Sequence, residues 1–158
     1  MSTKKINPML LIDFYKAVHA EMLPKGITKS VSYFTPRMSR VKRWDKVVMF
    51  GLQGFIKNYL IDYFNEEFFG RPFDEVIEDY KRIMDNALGS EAYKIEKVEE
   101  LHHLGYLPIE IVALPEGTLV PMHVPMFGIT NTHSDFAWLP QSLESLISAE
   151  SWHPMIAA

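Results

Sequence analysis

An α+β fold, a sheet flanked by helices, is what this sequence predicts, and three observations lead to it. Short apolar runs of strand length at 30–34, at 47–50 and within 106–132 are punctuated by proline and glycine. Longer stretches carry apolar residues at helical spacing, most clearly over 73–88. With 158 residues, 47% of them hydrophobic and 13% aromatic, the chain has the size and composition of one domain with a real core.

The elements follow in order. Residues 10–19 (LLIDFYKAVH) predict a short helix with Leu11, Phe14, Tyr15 and Val18 on one side, ended by Pro24 and Gly26. Residues 30–34 (SVSYF) set Val31 and Tyr33 against Ser32 and Phe34, which is the alternation of a strand. Pro36 stops it, and a basic loop follows with Arg37, Arg40, Lys42, Arg43 and Lys46. A second strand is expected at 47–50. Gly51-Leu52-Gln53-Gly54 then turns into a helix carrying Phe55, Ile56, Tyr59, Leu60 and Tyr63 on its core face. The helix over 73–88 has Asp74 and Glu75 in its first turn, where the macrodipole favours negative charge. A shorter charged helix or turn is expected over 92–101.

Residues 106–132 (YLPIEIVALPEGTLVPMHVPMFGITNT) are the candidate centre of the fold. Proline cannot donate a ladder hydrogen bond, and Gly117 can take the positive φ of a tight turn. The prolines and Gly117 therefore divide this stretch into strands at 109–114, 118–120 and 126–129. Its only charged side chains are Glu110 and Glu116, as suits strands covered on at least one face. A helix is expected from about Phe136 towards the end, with Pro140 tolerated in its first turn. Over 142–158 the apolar pattern runs on to Met155-Ile156-Ala157-Ala158 without a cap or polar tail. That predicts a further surface for it to pack on, in another chain or in a continuation.

Composition excludes several chemistries. A net charge of −4 gives no electrostatic case for nucleic acid, while the basic loop leaves room for a local anion site. With no cysteine there is no disulfide, thiolate catalysis or Cys-ligated zinc, which fits a reducing compartment. The start, MSTKKINPML, meets Asp13 and Lys16 before any apolar run long enough for a signal peptide or membrane span. A soluble, cytoplasmic chain with no membrane or nucleic-acid partner is expected. The six histidines show no H-x-x-x-H spacing, so a metal site would rest on His102-His103 alone, and neighbouring side chains diverge on most backbones. No G-x-S-x-G elbow and no glycine-rich phosphate loop is present.

Two features remain as candidates. The basic loop is either a solvated loop or a phosphate clamp built from guanidinium forks. Asp13-Phe14-Tyr15-Lys16 is either core plus surface or a stacking platform for a flat ligand.

These residues also resemble a family. Asp13-x-Tyr15-Lys16-x-x-His19, Ser32-Tyr33-Phe34-x-x-Arg37 and Phe50-Gly51-Leu52-Gln53 are similar to the N-terminal part of the nicotinamide phosphoribosyltransferases. Leu107-Pro108-Ile109-Glu110-Ile111, Pro115-Glu116-Gly117, Asn131-Thr132, Trp138-Leu139, Glu144 and Ser151-Trp152-x-Pro154 continue the likeness in order. The loop between Arg37 and Phe50 is shorter than in animal members of the family.

The resemblance implies a type II phosphoribosyltransferase that joins nicotinamide to 5-phosphoribosyl-1-pyrophosphate, with magnesium, giving nicotinamide mononucleotide and pyrophosphate in NAD salvage. It implies an N-terminal domain with a largely antiparallel sheet, spanning 1–158, and an α/β barrel that this chain lacks. Active sites of the family lie at a homodimer interface, so a homodimer or a barrel-containing partner chain is expected. Tyr15 matches the tyrosine that stacks on nicotinamide, Arg37 an arginine on the substrate phosphates, and Asp13 and Lys16 follow as supports in substrate binding. The resemblance assigns no catalytic residue and no metal ligand to this chain, because the catalytic histidine and the carboxamide-reading aspartate belong to the barrel. A nicotinate phosphoribosyltransferase fragment and a non-catalytic dimerisation module are the alternatives. A biotin- or lipoyl-type carrier would need an exposed lysine on a hairpin tip, and Met122-His123-Val124 has none.

Overall fold

The computed structural model describes residues 5–158. The first four residues of the stretch read for a leader lie outside the described residues. The architecture is α+β, and every strand pairing among the described residues is antiparallel.

The N-terminal segment departs from the expected α-helix. Two 3-10 turns, Pro8–Leu10 and Phe14–Val18, precede a single helical turn, α1 (His19–Met22). Asn7 opens the first by accepting the Met9 N–H at 3.0 Å, and its amide donates to the Val76 carbonyl at 3.2 Å. With three residues per turn, side chains three apart eclipse, so a stripe at 11, 14, 15 and 18 cannot form. Phe14 and Tyr15 are exposed, while Met9 and Lys16 are buried.

β1 (Val31–Phe34) turns Val31 and Tyr33 outward. Residues 35–45 form the basic loop, and β2 (Lys46–Val48) follows, shorter than expected. α2 (Leu52–Phe55) runs into wider, π-type turns over Ile56–Tyr63 and Asn65–Phe69. The helix therefore extends past Tyr63, and its buried face is Phe55, Leu60, Phe64 and Phe68. The five-residue step from Phe55 to Leu60 follows the wider winding.

α3 (Phe73–Leu88) has the predicted bounds and buries Val76, Ile77, Tyr80 and Met84. α4 (Glu96–Leu104) begins later than 92 and ends on Gly105, whose φ of 80° gives the left-handed C-terminal cap. The three strands expected within 106–132 are β3 (Ile109–Ala113), β4 (Leu119–Pro121) and β5 (Phe127–Asn131). They do not form one meander. β5 is the middle strand of a sheet ordered β1-β5-β3, whereas β4 pairs with β2.

The expected C-terminal helix is divided into a 3-10 turn at Ser134–Phe136, α5 (Leu139–Ser142) and α6 (Glu144–Ala157). The division falls at Leu143, whose ψ of −11° is short of the α value. Pro140 sits in the first turn of α5.

One face of the three-stranded sheet meets the core. Phe34 pairs with Phe127 across β1 and β5, and their rings stack at 4.8 Å with 9° between planes. Trp152 of α6 meets Phe34 edge-on at 5.4 Å. The Pro115-Glu116-Gly117 turn contributes more than a change of direction. The Glu116 carboxylate accepts the Gly51 N–H at 2.7 Å and the Gln53 N–H at 3.1 Å, capping the start of α2. Gly51 has φ +88°, and a Cβ there would lie 3.2 Å from Cγ of Pro154 in α6. Only glycine meets both requirements without strain.

Candidate functional site

The residues singled out from sequence fall in two places, joined through the start of α6. The first is the 3-10 turn Phe14–Val18. Asp13 and Lys16 are three residues apart, so they eclipse on one face and both turn towards α6. The Lys16 Nζ lies 3.0 Å from Glu144 Oε2 and 3.6 Å from Asp13 Oδ2, with its side chain only 2% exposed. Asp13 and Ser145 exchange two hydrogen bonds. The serine hydroxyl donates to Asp13 Oδ2 at 2.5 Å and accepts the Asp13 N–H at 3.1 Å. The Ser145 hydroxyl, followed by the Lys16 charge, holds the Asp13 carboxyl below its ordinary value of 3.8.

Tyr15 lies one step from Lys16 on the same turn, and its side chain also acts to lower the pKa of the Asp13 carboxyl. It is 59% exposed, and its ring leans on His19 at 5.4 Å between centroids with a 58° tilt. The Nδ1 of His19 is buried without a hydrogen-bond partner.

Arg37 belongs to the second place, a groove of about 1360 Å³ between the basic loop, β1, β2 and α6. Phe34, Phe127 and Trp152 line it together with Arg37, Arg40 and Lys46. Among the described residues no ion pair engages these three cations. An apolar wall beside cations without counter-charges is suited to an anion that also carries a ring or sugar. Arg43 stacks on Trp44 at 4.9 Å, outside that role.

Asp13 and Lys16 are thus brought together on α6, with Tyr15 beside them on the same turn, whereas Tyr15 and Arg37 do not line a common groove. The linking residue is Glu144, which holds Lys16 and also lines the groove of Arg37. The sequence marks Glu144 only through the family resemblance and does not mark Ser145. Their partners lie 128 and 132 residues away, so no local spacing marks them.

The histidine pair has a packing role. The His102 ring stands edge-on to Phe68 at 5.2 Å and Phe73 at 5.4 Å, and His103 stacks on Phe73 at 4.6 Å. Among the described residues no group of three or more His, Asp or Glu side chains is placed to hold a metal ion. The groove's side-chain carboxylate is Glu144, and Lys16 engages it.

The fold and these two surfaces define a class: an antiparallel α+β domain that presents an exposed aromatic ring and a groove lined by cations. The sequence profile of the family described as nicotinamide phosphoribosyltransferase, N-terminal domain, matches residues 7–111, and the chain belongs to that family. It is 47% identical to the nicotinamide phosphoribosyltransferase of Acinetobacter baylyi over 153 residues, covering 94% of this chain and 30% of that protein. It is 33% identical to the nicotinamide phosphoribosyltransferase of Xanthomonas campestris pv. campestris over 155 residues, covering 96% of this chain and 30% of that protein. The chain therefore spans 30% of the length of these curated relatives.

Proposed function

We propose that this chain is the N-terminal part of a nicotinamide phosphoribosyltransferase, acting in NAD salvage. The complete enzyme would convert nicotinamide and 5-phosphoribosyl-1-pyrophosphate to nicotinamide mononucleotide and pyrophosphate. The observation that carries this reading is the 47% identity across 94% of the chain. In this reading Tyr15 stacks on the nicotinamide ring, for which its exposed face and fixed backbone suit it. Arg37 meets the phosphates of the second substrate, with a guanidinium that no carboxylate among the described residues pairs with.

Neither residue performs the chemistry. The barrel supplies it, from a barrel-containing partner chain or across a homodimer. Magnesium would supply charge neutralisation at the departing pyrophosphate. The residues here do not fit a resident magnesium, since Glu144 is already paired with Lys16, so the ion would arrive on the phosphoribosyl substrate. A cytoplasmic setting agrees with the absence of cysteine. Among the described residues no helix is long and apolar enough to cross a membrane.

The test is complementation. The purified chain alone, given both substrates and magnesium, is expected to form no nicotinamide mononucleotide. Adding a chain that carries the barrel is expected to restore turnover. Turnover by the chain alone overturns the division of labour. In the complemented enzyme, Tyr15→Ala is expected to raise the nicotinamide KM about tenfold, from the loss of roughly 1–1.5 kcal/mol of stacking. The KM for the phosphoribosyl substrate should stay within about twofold. An equal rise in both would count against stacking.

A further inference from the structure

Lys16 is the only charged side chain among the described residues that is fully buried, yet both of its carboxylate partners are exposed. A buried ammonium is tolerated only when paired, and a surface lysine could make the same pairs from solvent. Burial of this one therefore has a geometric consequence, set by the 3-10 turn. Lys16 Nζ is tied to Glu144, and Asp13 is tied to Ser145 through its N–H and its carboxylate. Both eclipsing positions of the turn are thus fixed to the first turn of α6. The Lys16 N–H also closes the turn on the Asp13 carbonyl at 2.8 Å. Tyr15 lies between these two anchors, about 120° around the turn from Lys16; its side chain acts on the Asp13 carboxylate, and its ring leans on His19 and is 59% exposed.

We infer that Lys16 is a positioning residue for Tyr15: its buried ion pair with Glu144 and Asp13 locks the turn that holds the Tyr15 ring outward against His19. This assigns Lys16 no contact with substrate. Its bearing on nicotinamide rests on the reading of Tyr15 above, but the positioning itself does not.

The test is made on the full chain by NMR, comparing the wild type with Lys16→Met and Glu144→Gln. The first removes the buried charge and keeps the apolar stem. The second weakens the same pair from its exposed side and keeps the variant informative if the first fails to fold. Expected is loss of the Tyr15–His19 ring cross-peaks, with the methyl signals of Leu101 and Leu139 in the core unchanged. Cross-peaks of wild-type intensity in a folded variant overturn the inference. A purely structural role would instead shift the core methyl signals and leave the ring contact, and that result overturns it as well. In the complemented enzyme, Lys16→Met should raise the nicotinamide KM in the wild type and add nothing in a Tyr15→Ala background. Additive effects there overturn the inference. If Tyr15→Ala itself leaves nicotinamide binding unchanged, the stacking role fails while the NMR result still decides the positioning.

Discussion

Asn131 is the position at which a single substitution should be most revealing. Its side chain, on a residue 4% exposed, makes three hydrogen bonds to the main chain. The Oδ1 accepts the Ser30 N–H at 2.8 Å, and the Nδ2 donates to the carbonyls of Thr28 and His133, each at 2.9 Å. These bonds fasten the entry to β1 onto the end of β5, and so set where the chain begins its run towards Arg37. In Asn131→Ala all three backbone groups lose their partner at a part-buried site. At about 1 kcal/mol for each bond, the expected loss is about 3 kcal/mol. For a domain of this size each kcal/mol corresponds to about 2–4 °C, so the melting temperature should fall by about 6–12 °C. Thermal unfolding followed by circular dichroism measures it. Asn131→Asp is the sharper control, because it preserves the acceptor for Ser30 but points a carboxylate oxygen at two carbonyls. At neutral pH it should be at least as destabilising as alanine. A shift below about 2 °C for alanine, or a tolerated aspartate, would refute this account of the clamp.

Three further outcomes are expected. Glu116→Ala removes the acceptor for the Gly51 and Gln53 N–H groups and should cost about 1–2 kcal/mol, with Glu116→Gln recovering part of it in urea unfolding. Gly51→Ala forces a left-handed residue against Pro154 and should cost about 1–3 kcal/mol in the same assay, whereas alanine at the open Gly54 should not. Asp13 has a lowered folded-state pKa, so its contribution to stability is complete above pH 3.8 and is lost as the pH falls through the lower folded value. Ser145→Ala removes the largest cause and should raise the Asp13 carboxyl titration towards 3.8, read by carbon NMR, while an unmoved titration would contradict the hydrogen bond.

The parts of this fold that were legible from sequence are those in which neighbours along the chain decide the structure. The α3 helix declares itself by apolar residues at helical spacing and acids in its first turn, and both of its ends were placed correctly. The strands of the 106–132 stretch are bounded by prolines and by Gly117, whose φ of 85° makes its turn. What stayed hidden was decided by distant residues. Phe14–Val18 has an apolar pattern that suits an α-helix, but the pairing of Lys16 with Glu144 turns a charged side chain inward and leaves Tyr15 in solvent. Glu116 reads as a turn residue until α2 is seen to begin at its carboxylate. Nothing local tells β4 to join β2 rather than the sheet built on β5. For the candidate site, the sequence singles out Tyr15, Asp13, Lys16 and Arg37 as candidates, but their spatial relation is not legible in it.

That relation shifts the organising role from the 106–132 stretch to α6. β5 remains the central strand, and the stretch still determines the sheet. Yet several of the segments that carried the family resemblance, those of Asp13-Lys16, Phe34-Arg37 and Gly51, meet on the final helix. Its first turn holds Lys16 and Asp13. Glu144, Ser148 and Trp152 line the groove of Arg37, and Trp152 packs on Phe34. Pro154 closes on Gly51, whose N–H is held by Glu116. One helix thus touches the segment presenting the aromatic ring, the groove presenting the cations and the turn that starts α2. A change along α6 therefore reaches both candidate surfaces, whereas a change at the exposed Val112 of β3 touches neither.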